Sequence, residues 1–263
     1  MRLSATTVIY PEGTLVAALD DIHAAGLDGI ELQGHHVRWL GAAPTRVAEF
    51  QRQLQDRDLT VSSLMLGYLV DDASRDAHLA LLDLSAEFGS RVIPIMPPRV
   101  GMIDLPRYFD LLGQIGARAA ELGIGLAVHH HLGTMINTPE QVDAFLLTAE
   151  NEAAIGLCLD TAHLALHGTD IAPAITRWSP AIAHAHVKDL RPDPRIDPRT
   201  AGARAAQATF RTPGDGVLDF DAVVAALLSS DQAPWLSIEI ETFHRPALES
   251  LRTAASTLKG ASQ

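Results

Sequence analysis

The sequence predicts a single-domain α/β barrel of eight parallel strands, the (β/α)8 or TIM barrel, over residues 1–263. Short apolar segments alternate with amphipathic helical segments along the whole chain, a pattern typical of βα units joined by right-handed crossovers. The length of 263 residues suits a barrel, which needs about 250. An open doubly wound sheet is disfavoured, because no glycine-rich dinucleotide motif follows the first strand and no phosphate-binding Gly-Lys-Ser/Thr motif occurs.

The first half of the chain is assigned to four βα units. Residues 3–10 are rich in β-branched and aromatic side chains and end at a proline, which indicates a first strand. Apolar residues at helical spacing then predict a helix over 13–25. Further strands are predicted over 26–32, 59–66 and 91–96, and further helices over 44–56, 73–88 and 105–122. His35, His36 and Trp39 fall in the predicted loop after the second strand.

The second half supplies the other four units. Strands are predicted over 124–131, 155–159, 181–189 and 234–241. Helices are predicted over 139–150, between the strands at 155–159 and 181–189, and over 219–229 and 246–258, with Thr138 capping the helix at 139. Residues 192–213 interrupt this alternation with four prolines and are predicted to be a long loop. Because long loops in compact domains usually serve a site, we expect this one to be a lid over the active site that moves on binding.

Polar residues stand at the ends of five predicted strands. They are Glu31, His129 to His131, Asp160 with His163, His184 with His186, and Glu239 with Glu241. The carboxyl ends of barrel strands meet on one face, so these side chains are expected to converge. Carboxylate oxygen and imidazole nitrogen suit divalent first-row metals. The later member of each alternating pair lies nearer the mouth, which favours His186 over His184 and leaves His129 or His131, and Glu239 or Glu241, open.

Composition limits the range of partners. A formal net charge of −12 argues against nucleic acid, since phosphate binding needs clustered Lys and Arg. No segment approaches the roughly 20 consecutive apolar residues of a membrane span, and the first residues lack the apolar run of a signal peptide. We therefore expect a cytoplasmic enzyme, and the sequence is compatible with a homo-oligomer. The single cysteine, Cys158, lies in an apolar strand and is interpreted as a small hydrophobe, not a nucleophile.

Four segments resemble the xylose-isomerase-like superfamily of sugar isomerases, epimerases and dehydratases, and its inosose dehydratases in particular. They are Val128-His-His-His-Leu-Gly-Thr134, Cys158-Leu-Asp-Thr-Ala-His-Leu164, His184-Ala-His-Val-Lys-Asp189 and Phe210-Arg-Thr-Pro-Gly-Asp-Gly216. The resemblance is strongest over residues 124–221. The N-terminal segment and residues 238–244 depart from the dehydratase pattern.

This resemblance implies one divalent metal bound by His129, Asp160, His186 and Glu239. His129 stands where the superfamily usually has Glu, so either His129 binds the metal or water or substrate takes that position. The mixture of imidazole and carboxylate favours Mn²⁺ or Co²⁺, with Mg²⁺ and Zn²⁺ as alternatives. A site with fewer carboxylates neutralises the metal less and should make it a stronger Lewis acid.

The resemblance also implies a keto-sugar or keto-inositol substrate, an enediolate and, by the dehydratase-like segments, loss of water. Sugar isomerisation or epimerisation is the main alternative, an endonuclease IV-like metal phosphoesterase is a remote one, and a metal-free sugar-binding barrel is the non-enzymatic one. Lys188 is interpreted either as a catalytic group or as a solvated lysine paired with Asp189. The expected catalytic residues are Glu31, His163, Lys188 and Glu241, and the expected substrate-binding residues are His131, His35, Trp39 and Arg211.

Overall fold

The computed structural model describes residues 1–149, 155–197, 203–230, 234–241 and 244–262. Its strands are β1 Leu3–Thr6, β2 Gly29–Gln33, β3 Thr60–Met65, β4 Val92–Ile95, β5 Gly125–His129, β6 Ile155–Asp160, β7 Ile182–Val187, β8 Asp189–Leu190, β9 Phe210–Arg211 and β10 Leu236–Ile238. Its helices are α1 Leu15–Ala24, α2 Gly34–Gly41, α3 Pro44–Gln55, α4 Asp72–Glu87, α5 Leu105–Leu122, α6 Pro139–Ala149, α7 Thr161–Leu166, α8 Ile171–Trp178, α9 Ala203–Gln207, α10 Phe220–Leu228 and α11 Ala247–Gly260.

Eight strands form one parallel sheet in the order β3-β2-β1-β10-β7-β6-β5-β4. The two outer strands of that order meet beyond their ends, where Tyr68 and Met96 form a parallel bridge and the Leu69 N–H donates to the Met96 carbonyl at 3.1 Å. The sheet is therefore a nearly closed barrel, which confirms the predicted fold class. In such a barrel the carboxyl ends of all eight strands surround one mouth.

The main hydrophobic core lies between the strands and the surrounding helices. Strand residues such as Ile30, Leu32 and Leu64 pack there with helix residues such as Leu19 and Leu111, and each is fully buried. The barrel interior instead holds small and polar side chains, among them Ser4, Ser63, Ser237, Glu31 and His184. Strand alternation explains this division, because successive side chains point to opposite faces of the sheet.

The structure corrects the predicted elements in two places. Residues 34–41, predicted as a loop, form α2, so His35, His36 and Trp39 are helical. The predicted long loop over 192–213 contains α9 and β9, and β9 pairs antiparallel with β8 directly after the seventh barrel strand. Residues 198–202 of that loop and Glu150, at the predicted end of a helix, lie outside the described residues. No helix in the described ranges is long and apolar enough to cross a membrane.

Candidate active site

Four strand-end residues meet at the mouth of the barrel. His129 ends β5, Asp160 ends β6, His186 lies in β7 and Glu239 follows β10. Each offers one ligand atom, and these atoms all lie within 4.8 Å of one another. All four side chains are buried. This group is the ligand set that the resemblance implied, and no other pairing of the alternating residues gives a cluster of four in the described chain.

The separations within this group suit a metal ion. His186 Nδ1 lies 3.3 Å from His129 Nε2 and 3.2 Å from Glu239 Oε2. Ligands at 2.0–2.1 Å from a tetrahedral metal are about 3.3 Å apart. Asp160 Oδ2 and Glu239 Oε2 are buried and meet no hydrogen-bond criterion among the described residues, and each lies at ion-pair distance from Lys188 Nζ. Two buried carboxylate oxygens beside two imidazoles are a donor set that suits a divalent cation.

Glu31 lies beneath this group and orients it. Its carboxylate, at 0% exposure, contacts His184 Nε2 at 2.7 Å and His186 Nε2 at 3.0 Å, and it accepts a hydrogen bond from Ser63 Oγ at 2.7 Å. Burial alone would raise the pKa of Glu31, but the charge of His186 and the hydrogen bonds from both histidines hold it well below its usual range. An ionised carboxylate only accepts, so His186 carries hydrogen on Nε2, and its Nδ1 faces His129 and Glu239 at the mouth.

Lys188 is the charged centre of the mouth. Its Nζ lies 3.0 Å from Glu239 Oε2, 3.3 Å from Asp160 Oδ2 and in hydrogen-bond contact with Glu241 Oε1. Burial alone would lower the pKa of Lys188, but these carboxylates hold it well above its usual range. The solvated Lys188–Asp189 pair is therefore wrong, because Lys188 is fully buried. The Asp189 carboxylate instead accepts the backbone N–H groups of Gly214, Gly216, Val217 and Leu218.

A second group joins His131, His163 and Glu241, whose ligand atoms also lie within 4.8 Å of one another. His131 Nδ1 contacts the Leu132 carbonyl at 2.9 Å, and His163 Nδ1 accepts from the Leu132 N–H at 3.4 Å. A carbonyl only accepts and an amide only donates, so the two neutral rings take opposite tautomers. His131 Nε2 is left as an acceptor and His163 Nε2 as a donor.

Electrostatics keep both imidazoles neutral. Burial lowers the pKa of His131, with Lys188 adding to the effect, and burial together with His131 and Lys188 lowers that of His163 further. The Asp160 carboxylate positions the second ring from below, because its Oδ1 accepts the N–H groups of Ala162 and His163, both at 2.9 Å. Asp160 is thus both a mouth carboxylate and the N-cap of α7.

A cleft of about 560 Å³ opens over these groups. His129, His131, Glu239 and Glu241 line one side, and His35 lies on another. Gln207 of α9 also lines the cleft, so the described part of the predicted lid reaches the mouth. Lining residues that sequence reasoning missed come from the last residues of β2 and β3 and from the segments that follow β1, β2 and β3, and they include Val8, Ile9, Gln33, Arg38, Met65 and Tyr68. They are mostly uncharged, and single uncharged residues carry no recognisable sequence signal.

Seven predicted site residues do not line the cleft: Asp160, His163, His186 and Lys188 are buried in the groups described above, and the other three are Trp39, Arg211 and Glu31. Trp39 packs its ring against the Arg46 guanidinium, 4.7 Å from the ring centroid, and Arg46 also donates to the Trp39 carbonyl. Arg211 donates to the carbonyls of Ala208 and Phe210 on the outer side of β9. Glu31, which the sequence predicted to be catalytic, is fully buried and contacts His184 Nε2 and His186 Nε2, a position from which its carboxylate can hold those imidazoles in place.

The fold and the mouth together define a TIM barrel whose strand ends hold a carboxylate–imidazole centre. Residues 19–260 match the family model described as a xylose isomerase-like TIM barrel, and the chain belongs to that family. Among curated relatives, it is 30% identical over 246 residues to the rhizopine catabolism protein MocC of Rhizobium meliloti, covering 86% of this chain and 74% of that one. It is 26% identical over 257 residues to an inosose dehydratase of Clostridium botulinum, with 88% and 83% covered.

Solved structures share the fold at lower identity. The probable 3-DHS dehydratase AsbF of Bacillus anthracis has a TM-score of 0.78 at 18% identity, covering 98% of this chain and 99% of that one. The 3-keto-D-glucoside 4-epimerase YcjR of E. coli has a TM-score of 0.75 at 16% identity, with 99% of each chain covered. The zinc-bound IolI protein has a TM-score of 0.71 at 18% identity, with 100% and 96% covered.

Proposed function

We propose that the protein is a divalent-metal-dependent dehydratase that removes water from a keto-inositol or a related keto-sugar. The observation that carries this proposal is the pairing, at one barrel mouth, of the four-residue donor group with the oppositely oriented imidazoles of His131 and His163. The inosose dehydratase relative supports the substrate class. A cytoplasmic location and the lack of a nucleic-acid partner stay predictions from composition and charge.

The metal would be held by His129, Asp160, His186 and Glu239, with Mn²⁺ or Co²⁺ preferred because imidazole and carboxylate are mixed. The zinc in IolI supports a divalent ion in this fold, and Zn²⁺ therefore stays an alternative to Mn²⁺ and Co²⁺. When bound, such an ion polarises the substrate carbonyl and stabilises the negative charge that develops as an α-proton leaves. Glu31 contributes by fixing the His186 ring through a carboxylate–imidazole hydrogen bond.

His131 is assigned as the base. Its Nε2 is an acceptor, the ring is neutral, and the residue lines the cleft beside Glu241 and His129. It takes the α-proton, and the electron pair of the broken C–H bond becomes the new carbon–carbon π bond. The C–O bond to the β-hydroxyl breaks, and the proton held by His131 leaves with that hydroxyl as water. Proton and charge thus balance without a second acid.

His163 and Lys188 hold the departing hydroxyl. His163 Nε2–H is a donor with no described acceptor, and Lys188 remains an ammonium ion among three carboxylates. Neither group needs to give up its proton, since both act as hydrogen-bond donors toward developing negative charge. Glu241 keeps the ammonium in place and forms the third side of the His131–His163 group.

Isomerisation or epimerisation is the second candidate, because the same base can return its proton to carbon before any hydroxyl leaves. The epimerase among the structural neighbours shares the fold that supports this alternative. What favours elimination here is a donor pair, His163 Nε2 and Lys188 Nζ, placed beside the base in addition to the metal-ligand group.

The two reactions are separated by incubating the metal-loaded enzyme with inososes, ketohexoses and their phosphates in deuterated water and recording NMR spectra. We expect loss of a β-hydroxyl and a new enone or dione. Deuterium at the α-carbon with no loss of water would contradict the dehydratase and favour the isomerase. The His131→Gln variant should abolish both signals, while His23→Gln, which removes a histidine of α1 remote from the cleft, is the matched control.

A further inference from the structure

Two cavities lie at the outer side of the β8–β9 pair, apart from the catalytic cleft. One of about 550 Å³ is lined by Arg191, Arg211, His244, Arg245 and the 214–216 turn. The other, of about 380 Å³, is lined by residues 191–196 and by Ala208, Thr209 and Arg211. Arg191 and Arg211 line both cavities, so the two spaces adjoin at these residues. In a chain of net charge −12 this concentration of arginine is unusual.

The charges around the two cavities do not cancel. The carboxylates that line them belong to Asp193 and Asp215. Asp193 pairs with Arg195 at 2.6 Å, and Asp215 is in contact with Arg245. Each carboxylate therefore already has its own arginine. The charges of Arg191 and Arg211 remain without a carboxylate partner in the described part of the chain.

Backbone carbonyls hold these two side chains in place. Arg191 Nη2 donates to the Asp215 carbonyl at 3.0 Å, and Arg211 Nη1 donates to the carbonyls of Phe210 at 2.7 Å and Ala208 at 2.9 Å. Neutral acceptors fix a guanidinium without neutralising it. Each group has five N–H donors, so Nε and one Nη of each side chain stay available to a ligand. Two guanidinium groups that carbonyls hold, and that have no carboxylate partner in the described chain, are groups with which arginine binds phosphate.

The site is distinct from the catalytic centre. Phe210 faces inward, with its ring 4.6 Å from Lys188 Nζ and 5.1 Å from the His163 ring. Arg211 is the next residue of the same strand, so its side chain leaves the opposite face. None of the residues lining these two cavities lines the catalytic cleft. A ligand bound there would contact the β8–β9 pair behind the proposed catalytic residues and not the reacting carbon.

We propose that Arg191 and Arg211 form a binding site for a phosphate group, either free or carried by a small phosphomonoester. The loops that follow the seventh and eighth strands are where barrels of this architecture commonly accommodate phosphate, and both cavities are built from them. Phe210 of β9 contacts Lys188 and His163, so a phosphate bound to Arg211 also fixes the strand that packs on these two residues. The site is independent of the reaction proposed above.

The test is calorimetric titration of the intact protein with inorganic phosphate at low ionic strength. We expect saturable binding that weakens at least tenfold in the Arg191→Gln/Arg211→Gln double variant and is unchanged in Arg252→Gln, which removes an exposed arginine of α11 that is also held by a carbonyl. Unchanged affinity in the double variant, or no saturable binding by the wild type, would overturn the proposal. If the double variant does not fold, Arg211→Gln alone is titrated under the same criterion.

A parallel titration with glycerol 3-phosphate identifies the source of the phosphate group. Tighter binding than inorganic phosphate indicates a phosphomonoester, and weaker binding indicates the free ion. Repeating both titrations with Asp160→Asn keeps the arginine site and alters only the metal-ligand group. Phosphate binding that disappears in this variant but persists in the arginine double variant would assign the ion to the catalytic cleft and contradict the proposal.

Discussion

The two walls of the cleft are built on different principles. On one wall, β5, β6, β7 and β10 end in ionisable residues that contact one another, with Lys188 and His186 buried among carboxylates. On the other wall, the ends of β2 and β3 and the segments after β1, β2 and β3 contribute mainly apolar and uncharged polar side chains such as Val8, Met65 and Tyr68. The first wall is an interdependent network, and the second is a set of separate contacts.

This difference indicates how each wall responds to substitution. In a buried network, removing one charged partner leaves the others unpaired, which costs more than the lost contact itself. Removing a separate contact costs only the binding energy of that contact. Such a contact stabilises the bound substrate and the transition state equally. Substitutions on the ionisable wall should therefore affect metal content and turnover, whereas those on the uncharged wall should affect the apparent affinity for substrate.

The largest effect is expected for Asp160→Asn. The amide oxygen can still cap α7, so the variant should fold, but the anionic ligand is lost. Losing metal-assisted stabilisation of several kcal/mol corresponds to a fall in kcat of about a thousandfold or more. Metal content by mass spectrometry and steady-state kinetics measure the change. Activity that survives both this substitution and chelation would contradict metal chemistry at the mouth.

An intermediate effect is expected for Glu31→Gln, which tests whether the network extends below the ligands. The neutral amide no longer fixes the Nε2–H tautomer of His186, and loss of such a partner weakens metal binding by roughly 10- to 100-fold. Competition with a metal indicator measures the affinity. Ser63→Ala, which removes one hydrogen bond to the same carboxylate, should weaken it less. Wild-type affinity in Glu31→Gln would show that the lower layer is only structural.

The smallest effect is expected for Tyr68→Phe on the uncharged wall. The hydroxyl accepts a hydrogen bond from Arg99 Nε at 3.0 Å and borders the cleft, so its removal should raise KM by a few fold, about the value of one hydrogen bond, and leave kcat unchanged. Tyr108→Phe, in the core away from the cleft, is the matched control. A fall in kcat as large as that of Asp160→Asn would remove the distinction between the walls.

The sequence alone determined the barrel and the chemistry of its mouth. The alternation of strands and helices has a strong periodic signal, and parallel strands in a barrel necessarily bring their carboxyl ends together. That is why Asp160, His186 and Glu239 were predicted to be neighbours although they are far apart in the chain. Their residue types carry the metal chemistry wherever the strands place them.

Only the tertiary structure decided which side chains share a cleft and which nitrogen of each ring is exposed to it. Those outcomes depend on neighbours from other strands: Leu132 sets the tautomers of His131 and His163, and Glu31 sets that of His186. Local packing likewise places the Trp39 ring against Arg46 and places Arg211 in a cavity separate from the cleft. Periodicity reports the face of an element on which a residue lies, but contact between elements depends on distances and hydrogen bonds that exist only after the chain has folded.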